Sequence, residues 1–409
     1  MLLKSLLLGA LVLLPTTPRR TAPAAPPCDA DNGGLKLPDG FCAILVKENL
    51  GPVRHLAIAS NGDIFAARMG GGGGVVVLRD TNGDGKADTV AVFASGTNGT
   101  GIRLRSDAVY FAADNMILRY PWSVGKLAAA GPADTIAKGL PPGGHSMKSL
   151  VFGKDGTLYV SFGSRTNSCQ VKDRANQSPG INPCTELDER AGIWTFDAKK
   201  TGQTPADGKR FATGLRNPES IDINPATGVL YMATHGRDQL SENWGWPAED
   251  GRENPSEAFG PVASGADYGW PYCFHNPRTK QMLQNPEYGG DGKKVGDCDK
   301  KIAPAIGFPA HWAPNDLAFY TGTMFPAKYH GGAFIAFHGS WNRAPAPQEG
   351  FRVVFVPFQG GKPGSTWEDF VLPAGAPTSI RPTGIASGPD GSLYVSADAQ
   401  GKIWRIVKK

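Results

Sequence analysis

"GKDGTLYVSFG" (Gly153–Gly163) is the stretch that decides the fold. A polar turn, Gly-Lys-Asp-Gly, runs straight into a short apolar segment, and a second apolar run, "LVF" (Leu150–Phe152), stands before it. Two short apolar runs around a Gly/Asp turn read as a β-hairpin. The same unit recurs along the chain as "SNGDIFAAR" (60–68), "RSDAVYFAAD" (105–114), "PATGVLYMATHG" (225–236), "YHGGAFIAFHG" (329–339) and "GPDGSLYVSAD" (388–398), giving six copies. Each is a turn of Gly, Asp or Asn followed by apolar residues that end in small ones. Most are followed, after a variable loop, by an outer strand pattern: "VVVLRD", "MILRYPW", "GIWTFDA", "FRVVFVPF" and "KIWRIVK". The fourth copy lacks such a partner and precedes a long insertion. Helical periodicity is nearly absent. Self-similar units made only of short strands point to an all-β chain folded as a six-bladed β-propeller. A β-sandwich does not require six similar units. In this reading the six copies are the inner strands that ring a channel, and loops at one end of it build a site.

The 409 residues suit two or three domains, or one closed β fold. Gly 54 and Pro 34 supply turns, and 40% hydrophobic residues supply a core. The opening "MLLKSLLLGALVLLP" reads as a secretory signal peptide, with Ala22, Ala24 and Ala25 as cleavage points and "TTPRRTAPAAPP" as a tether. The expected organisation is therefore signal peptide and tether over 1–25 and one propeller over 26–409, in a periplasmic or secreted protein. No other segment is apolar for long enough to span a bilayer. In an oxidising compartment the six cysteines read as disulfides. The pairing with the shortest loops is Cys28–Cys42, Cys169–Cys184 and Cys273–Cys298. No CxxC pair supports zinc. The formal charge is +5, and three of the cations (Lys4, Arg19, Arg20) lie in residues 1–25. The remaining basic residues are scattered, which argues against nucleic acid or an anionic membrane as a partner.

Polar residues gather at the ends of the repeated strands. His145 precedes the third copy in a Gly/Pro loop. Arg216 and Asn217 precede the fourth in "GLRNPES", and His235 and Gly236 follow it in "THGRDQ". His311 precedes the fifth, His338 and Arg343 follow it in "FHGSWNR", and Arg381 precedes the sixth in "SIRPTG". Any one of these is compatible with a turn contact or an ion pair. Three arginines around one channel suit an anionic ligand, since guanidinium forks match carboxylate or phosphate. Separately, Asp80, Asn82, Asp84 and Asp88 in "DTNGDGKAD" follow the start of a calcium loop. Ala91 stands where an EF-hand carries its bidentate Glu, so the choice is a structural calcium site or a solvated acidic turn. The run "MGGGGGVVV" (69–77) has no following Lys-Ser/Thr and reads as a hairpin loop rather than a phosphate cradle.

Taken in order, "LYVSFGS", "FATGLRNPESIDINPATGVLYMATHGRD", "ADYGWPYCF", "LAFYTGTMFPAKYHGGAFIAFHGSWNR" and "IRPTGIASGPDGSLYVSADAQGKIWRI" resemble the soluble quinoprotein glucose/sorbosone dehydrogenases, most closely the bacterial sorbosone dehydrogenase-like branch. The resemblance covers most of the chain after the leader. It implies a propeller that binds pyrroloquinoline quinone (PQQ) and Ca²⁺ and oxidises an aldose or aldehyde. His145 would be the general base that takes the sugar hydroxyl proton as hydride moves to the quinone. Arg216 would stabilise developing negative charge on the quinone oxygens. Asn217, His311, His338, Arg343 and Arg381 match cofactor-pocket positions. Backbone carbonyls of Gly236 and Arg237 would bind one Ca²⁺, and Glu242 with the Tyr268 backbone a second. Two departures stand out. The Asp that precedes the base in the glucose dehydrogenases is Gly144 here, and their pocket Lys has no match, with His338 or Arg343 in that region.

The expected activity is an exported PQQ- and calcium-dependent sugar or aldehyde dehydrogenase, an oxidoreductase. No CxxCH haem motif is present, so electrons would leave to an external acceptor, a cytochrome or quinone. A calcium-dependent lactonase on the same fold would need several inner-strand carboxylates around a metal, and these look scarce. A non-catalytic binding propeller gives no reason for arginines and a histidine to converge.

Overall fold

The computed structural model describes residues 26–409; the expected signal peptide and its expected cleavage points lie outside the described residues. Six small antiparallel sheets form six blades. The first four-stranded blade runs Val53–Ile58, Ile64–Arg68, Gly74–Arg79 and Thr89–Ala94. The innermost strands of the blades are Val53–Ile58, Gly99–Arg105, Leu150–Phe152, Asn217–Ile223, Pro314–Phe319 and Pro382–Ser387, and each lies against the next around a closed ring. The Gly153 turn forms the expected hairpin, with Leu150 opposite Val160 and Phe152 opposite Leu158.

The six repeated units are not the inner strands. They are the second strands, one layer out. Ala108–Ala113, for example, is buried along its whole length. A second strand is packed by neighbouring blades on both faces, so it reads as a nearly continuous apolar run. The innermost strands carry Arg54, His55, Asn217, Glu219, Asn315 and Asp316, and this polar content hides them from a hydrophobic pattern. The "outer" patterns are third strands, with a fourth beyond them. The fourth blade does have its missing partners. Glu257–Val262 follows two short helices, Leu240–Trp244 and Ala248–Glu253, and Ile306–Phe308 completes the sheet.

Five of the six innermost strands slip register against the second strand near their starts: at Val53/Leu56, Gly99/Gly101, Asn217/Ser220, Pro314/Asp316 and Pro382/Gly384. Bulges of this kind re-aim side chains. Adjacent innermost strands are also joined by side chains. Ser220 Oγ donates to the Pro314 carbonyl at 2.8 Å, and Thr383 Oγ1 donates to that of Val53 at 2.9 Å. Carboxylates of Asp222 and Asp316 accept from Phe319 N and Ile385 N, each at 2.9 Å.

Hydrophobic wedges fill all six seams between blades. Closure comes from the N-terminal segment. Phe41–Lys47 pairs with Lys402–Lys408 as the outermost strand of the sixth blade, and Leu35–Lys36 adds to the edge of the fifth. Phe41 stands edge-on to Phe325, Tyr329 and Phe370 at 4.8, 5.4 and 5.1 Å. The disulfides are Cys28–Cys42, Cys169–Cys184 and Cys273–Cys298, the short-loop pairing. Among the described residues, no helix is long and apolar enough to cross a membrane.

The ring depends on that closing segment. Phe41→Ala empties the aromatic cluster at the seam and should cost about 3–5 kcal/mol. Urea unfolding followed by tryptophan fluorescence would show the loss as a lower midpoint; an unchanged midpoint would mean that closure does not rest on this cluster.

Candidate functional site

One end of the channel opens into a cavity of about 430 Å³. His145, Arg216, Asn217, His311, His338 and Arg381 all line it, drawn together from loops far apart in sequence.

His145 enters from the Gly/Pro loop. Its backbone N donates to the Ser164 carbonyl at 2.9 Å, and Nδ1 lies 2.9 Å from the same oxygen and 3.0 Å from Ser164 Oγ. A carbonyl only accepts, so Nδ1 carries the hydrogen and Nε2 the lone pair. Ser164 Oγ spends its own hydrogen on the Thr166 carbonyl at 2.6 Å. Burial first, then the charges of Arg216 and His235, push the His145 pKa down to about 3, against the Ser164 bond and Asp238. The imidazole is neutral at pH 7.

Two glycines make room for this ring. A Cβ on Gly144 would sit 2.4 Å from the Arg165 carbonyl oxygen, at a φ of +61°. A Cβ on Gly163 would meet the His145 Cβ at 2.5 Å. The residue before His145 therefore carries no side chain, and Ser164 orients the ring.

Arg216 is buried and heavily engaged. Nε donates to the Asn167 carbonyl at 3.2 Å and Nη1 to the Gly236 carbonyl at 2.7 Å. Nη2 donates to Asn167 Oδ1 at 3.1 Å and to Asp238 Oδ2 at 2.9 Å. Of the five guanidinium hydrogens, one on Nη1 is left for a ligand. Asn167 stands two residues before Cys169, which is bridged to Cys184. Ser164 N donates to the Arg216 carbonyl at 2.6 Å, so one residue positions both the base and the cation.

Across the cavity a chain of polar contacts links four blades. Arg381 Nη1 lies 3.3 Å from His338 Nδ1, and His338 Nε2 lies 2.9 Å from Asp398 Oδ1. Arg54 donates to Asp398 Oδ2 at 2.8 Å and to Glu219. His311 Nε2 bonds the Gly251 carbonyl at 2.9 Å, and Nδ1 is 3.7 Å from Asp238 Oδ1. Burial opposes a proton on His311, but Asp238 and the Gly251 bond prevail and raise its pKa.

Several expected site residues lie elsewhere. Arg343 is buried behind the wall, with Nη1 on the carbonyls of Arg252 and Ala310 at 3.1 Å each, so it ties the insertion to the fifth blade. The Gly236 carbonyl of the expected calcium seat is engaged by Arg216, and the Arg237 side chain forms a buried pair with Glu287 at 2.7 Å. Glu242 and Tyr268 line separate cavities. In the acidic loop, Asp80 accepts from Gly83 N at 2.7 Å and Gly85 N at 2.8 Å. Asn82 accepts from Asp84 N at 3.0 Å, Asp84 from Lys86 N at 2.8 Å, and Asp88 from Thr81 N at 2.8 Å. These oxygens cap their own turn, and among the described residues no three His, Cys, Asp or Glu side chains gather to hold a metal. The loop is thus pre-shaped by its own Asx turns.

Carboxylates are also not scarce. Glu219, Asp238, Glu257 and Asp398 line the cavity, with Arg54, Arg174 and the exposed Trp341. Sequence reasoning missed all of these. Arg54 had a usable signal, because it opens an innermost strand much as Asn217 does.

A closed six-bladed ring with a histidine- and arginine-lined basin at one mouth is a propeller with a ligand site at its channel. The chain belongs to the TrAA12-like family, whose model matches residues 35–409. A PQQ-dependent pyranose dehydrogenase of Coprinopsis cinerea is 28% identical over 274 residues, 54% of this chain and 35% of that one. The chain spans 59% or less of the length of the curated relatives it matches. Two solved structures share the fold. The calcium structure of a Trichoderma reesei carbohydrate-active enzyme of family AA12 has a TM-score of 0.77 at 20% identity, over 92% of this chain and 97% of that one. The holo PQQ domain of the Coprinopsis cinerea pyranose dehydrogenase has 0.76 at 20%, over 91% and 97%.

The cavity suits a planar polyanion such as PQQ. Asn217 Oδ1 is buried without a partner, Arg216 keeps one free hydrogen, and Arg381 has no carboxylate partner among the described residues. The Gly236 carbonyl accepts from Arg216 Nη1 at 2.7 Å and has a second lone pair.

Restoring the carboxylate beside the base should fail. Gly144→Asp drives a Cβ into the Arg165 backbone at a left-handed φ, so a loss of roughly 1–3 kcal/mol is expected. Thermal unfolding of the variant measures it; a stability equal to the parent's would refute the close approach.

Proposed function

We propose that this chain is a PQQ-dependent dehydrogenase of an aldose or aldehyde, acting outside the cytoplasm. The observation that carries the reading is His145. Its Nδ1 is fixed on Ser164, which leaves Nε2 as the lone-pair nitrogen, and it lines the same cavity as Arg216. Membership of the TrAA12-like family supports it.

When bound, PQQ supplies a two-electron acceptor. His145 Nε2 takes the proton of the substrate hydroxyl. The free Nη1 hydrogen of Arg216 faces negative charge as it develops, and Asn167 and Asp238 hold that guanidinium still. Arg381 binds a carboxylate, and Asn217 Oδ1 accepts from an N–H on the ring edge. Electrons then pass to an external acceptor, a cytochrome or quinone. No step is routed through calcium. The three disulfides fit an extracellular or periplasmic setting. The lactonase reading loses ground because Asp238, Asp398 and Glu219 face arginines rather than one another.

Reconstitution tests the proposal. Purified protein with PQQ, with and without Ca²⁺, should reduce an artificial dye when given aldoses or aldehydes. His145→Ala should lower kcat about 10²–10⁴-fold while PQQ binding persists. Near-normal turnover in that variant would remove His145 as the base, and failure of PQQ to bind would remove the quinone reading.

The pH profile carries a second expectation. A base whose pKa is pushed down to about 3 stays unprotonated well into acid. The acid limb of kcat/KM should therefore fall below about pH 5 rather than near the ordinary histidine value of about 6.5. Arg216→Ala removes a charge that depresses that pKa, so the limb should move upward. A limb near 6.5 in the parent would contradict the burial argument.

A further inference from the structure

Asp238 is held more completely than any other residue of the cavity. Its backbone N donates to Asn167 Oδ1 at 2.9 Å, and its carbonyl accepts from Asn167 Nδ2 at 2.9 Å. The same carbonyl accepts from Arg237 Nε at 3.0 Å and Nη2 at 2.9 Å, while Arg237 is itself clamped by Glu287. The carboxylate then gathers four groups. Oδ2 accepts from Arg216 Nη2 at 2.9 Å and Arg174 Nη2 at 3.0 Å. Oδ1 accepts from Asn342 Nδ2 at 3.0 Å and lies 3.7 Å from His311 Nδ1. Burial works against its charge, yet Arg216, His311 and Arg174 hold its pKa well below the usual range. A fixed negative charge therefore sits in the wall of a cavity suited to an anion.

Two guanidiniums side by side repel, and the carboxylate between them is what allows both to face one ligand. It also subtracts a full charge from the field they exert. We propose that Asp238 is a positioning residue that holds Arg216 and Arg174 together and, through its charge, lowers both the affinity for PQQ and the reduction potential of the bound quinone. This rests on the PQQ reading above. Reduction of a quinone places more negative charge on its ring oxygens, so a nearby anion disfavours the reduced form. A residue serving stability alone would affect neither property in that direction.

Asp238→Asn keeps the size and an acceptor oxygen but removes the charge. The expected result is PQQ binding tighter by about tenfold or more, with a higher midpoint potential of the bound quinone. Binding is read by absorbance titration and the potential by dye-mediated potentiometry on the full protein. Arg174→Gln, at a partly exposed position, leaves the carboxylate less compensated and should shift both quantities the opposite way. Weaker or equal PQQ binding with an unchanged potential in Asp238→Asn would overturn the proposal, as would both variants shifting in one direction. If Asp238→Asn does not fold, Asp238→Ser carries the same expectation, and an unchanged potential there overturns the proposal. Failure of the parent protein to bind PQQ is a separate result that removes the quinone reading and this inference with it.

Discussion

The structure depends on one pairing, the antiparallel match of Phe41–Lys47 with Lys402–Lys408. It makes the last blade from both ends of the described chain and so closes the circle. Closure leaves each blade packed on both faces, which is why a chain rich in glycine and turns can still bury six apolar seams. It also fixes the innermost strands at a common axis. Without it, Arg54, Asn217 and Arg381, which come from residues hundreds of positions apart, would have no reason to share a cavity.

The axis imposes its own constraint. Innermost strands at a channel mouth must carry polar groups without leaving backbone unpaired. The register slips at five of the six strand starts turn side chains toward the cavity, and Ser220, Asp222, Asp316 and Thr383 satisfy amides and carbonyls of the neighbouring blade. Asp316 shows the electrostatic consequence. It accepts two backbone amides, yet burial raises its pKa to about 7. The channel is thus a polar core in which hydrogen bonds do the work that apolar contacts do in the seams.

This division explains what could be read from the residues. The six copies were legible because second strands are buried on both faces, and their number gave the blade count. Their placement one layer out was not legible, because the true inner strands are interrupted by charges and bulges. His145, Arg216 and Arg381 stood out as polar groups next to strands. Asp238 lay in a quoted motif but gave no signal, since a carboxylate's importance here comes from four partners brought in from distant positions. Arg343 misled for the converse reason. A composition that suits a ligand can equally serve a buried tie.

The exchange around the base is the clearest case of sequence and geometry constraining each other. A carboxylate hydrogen-bonded to Nδ1 would favour the imidazolium and raise its pKa. Here the partner is the neutral Ser164 carbonyl, and Gly144 cannot accept a side chain because the Arg165 backbone occupies the space. Burial, and then the Arg216 charge, lower the pKa against that bond. A base of low pKa has less driving force to take a proton, so more of the barrier must be met by stabilising the charge that develops opposite it. That places the burden on Arg216, and it accounts for the number of contacts that hold this one guanidinium. The missing carboxylate beside the base and the carboxylate beside the arginine are then two parts of one electrostatic arrangement.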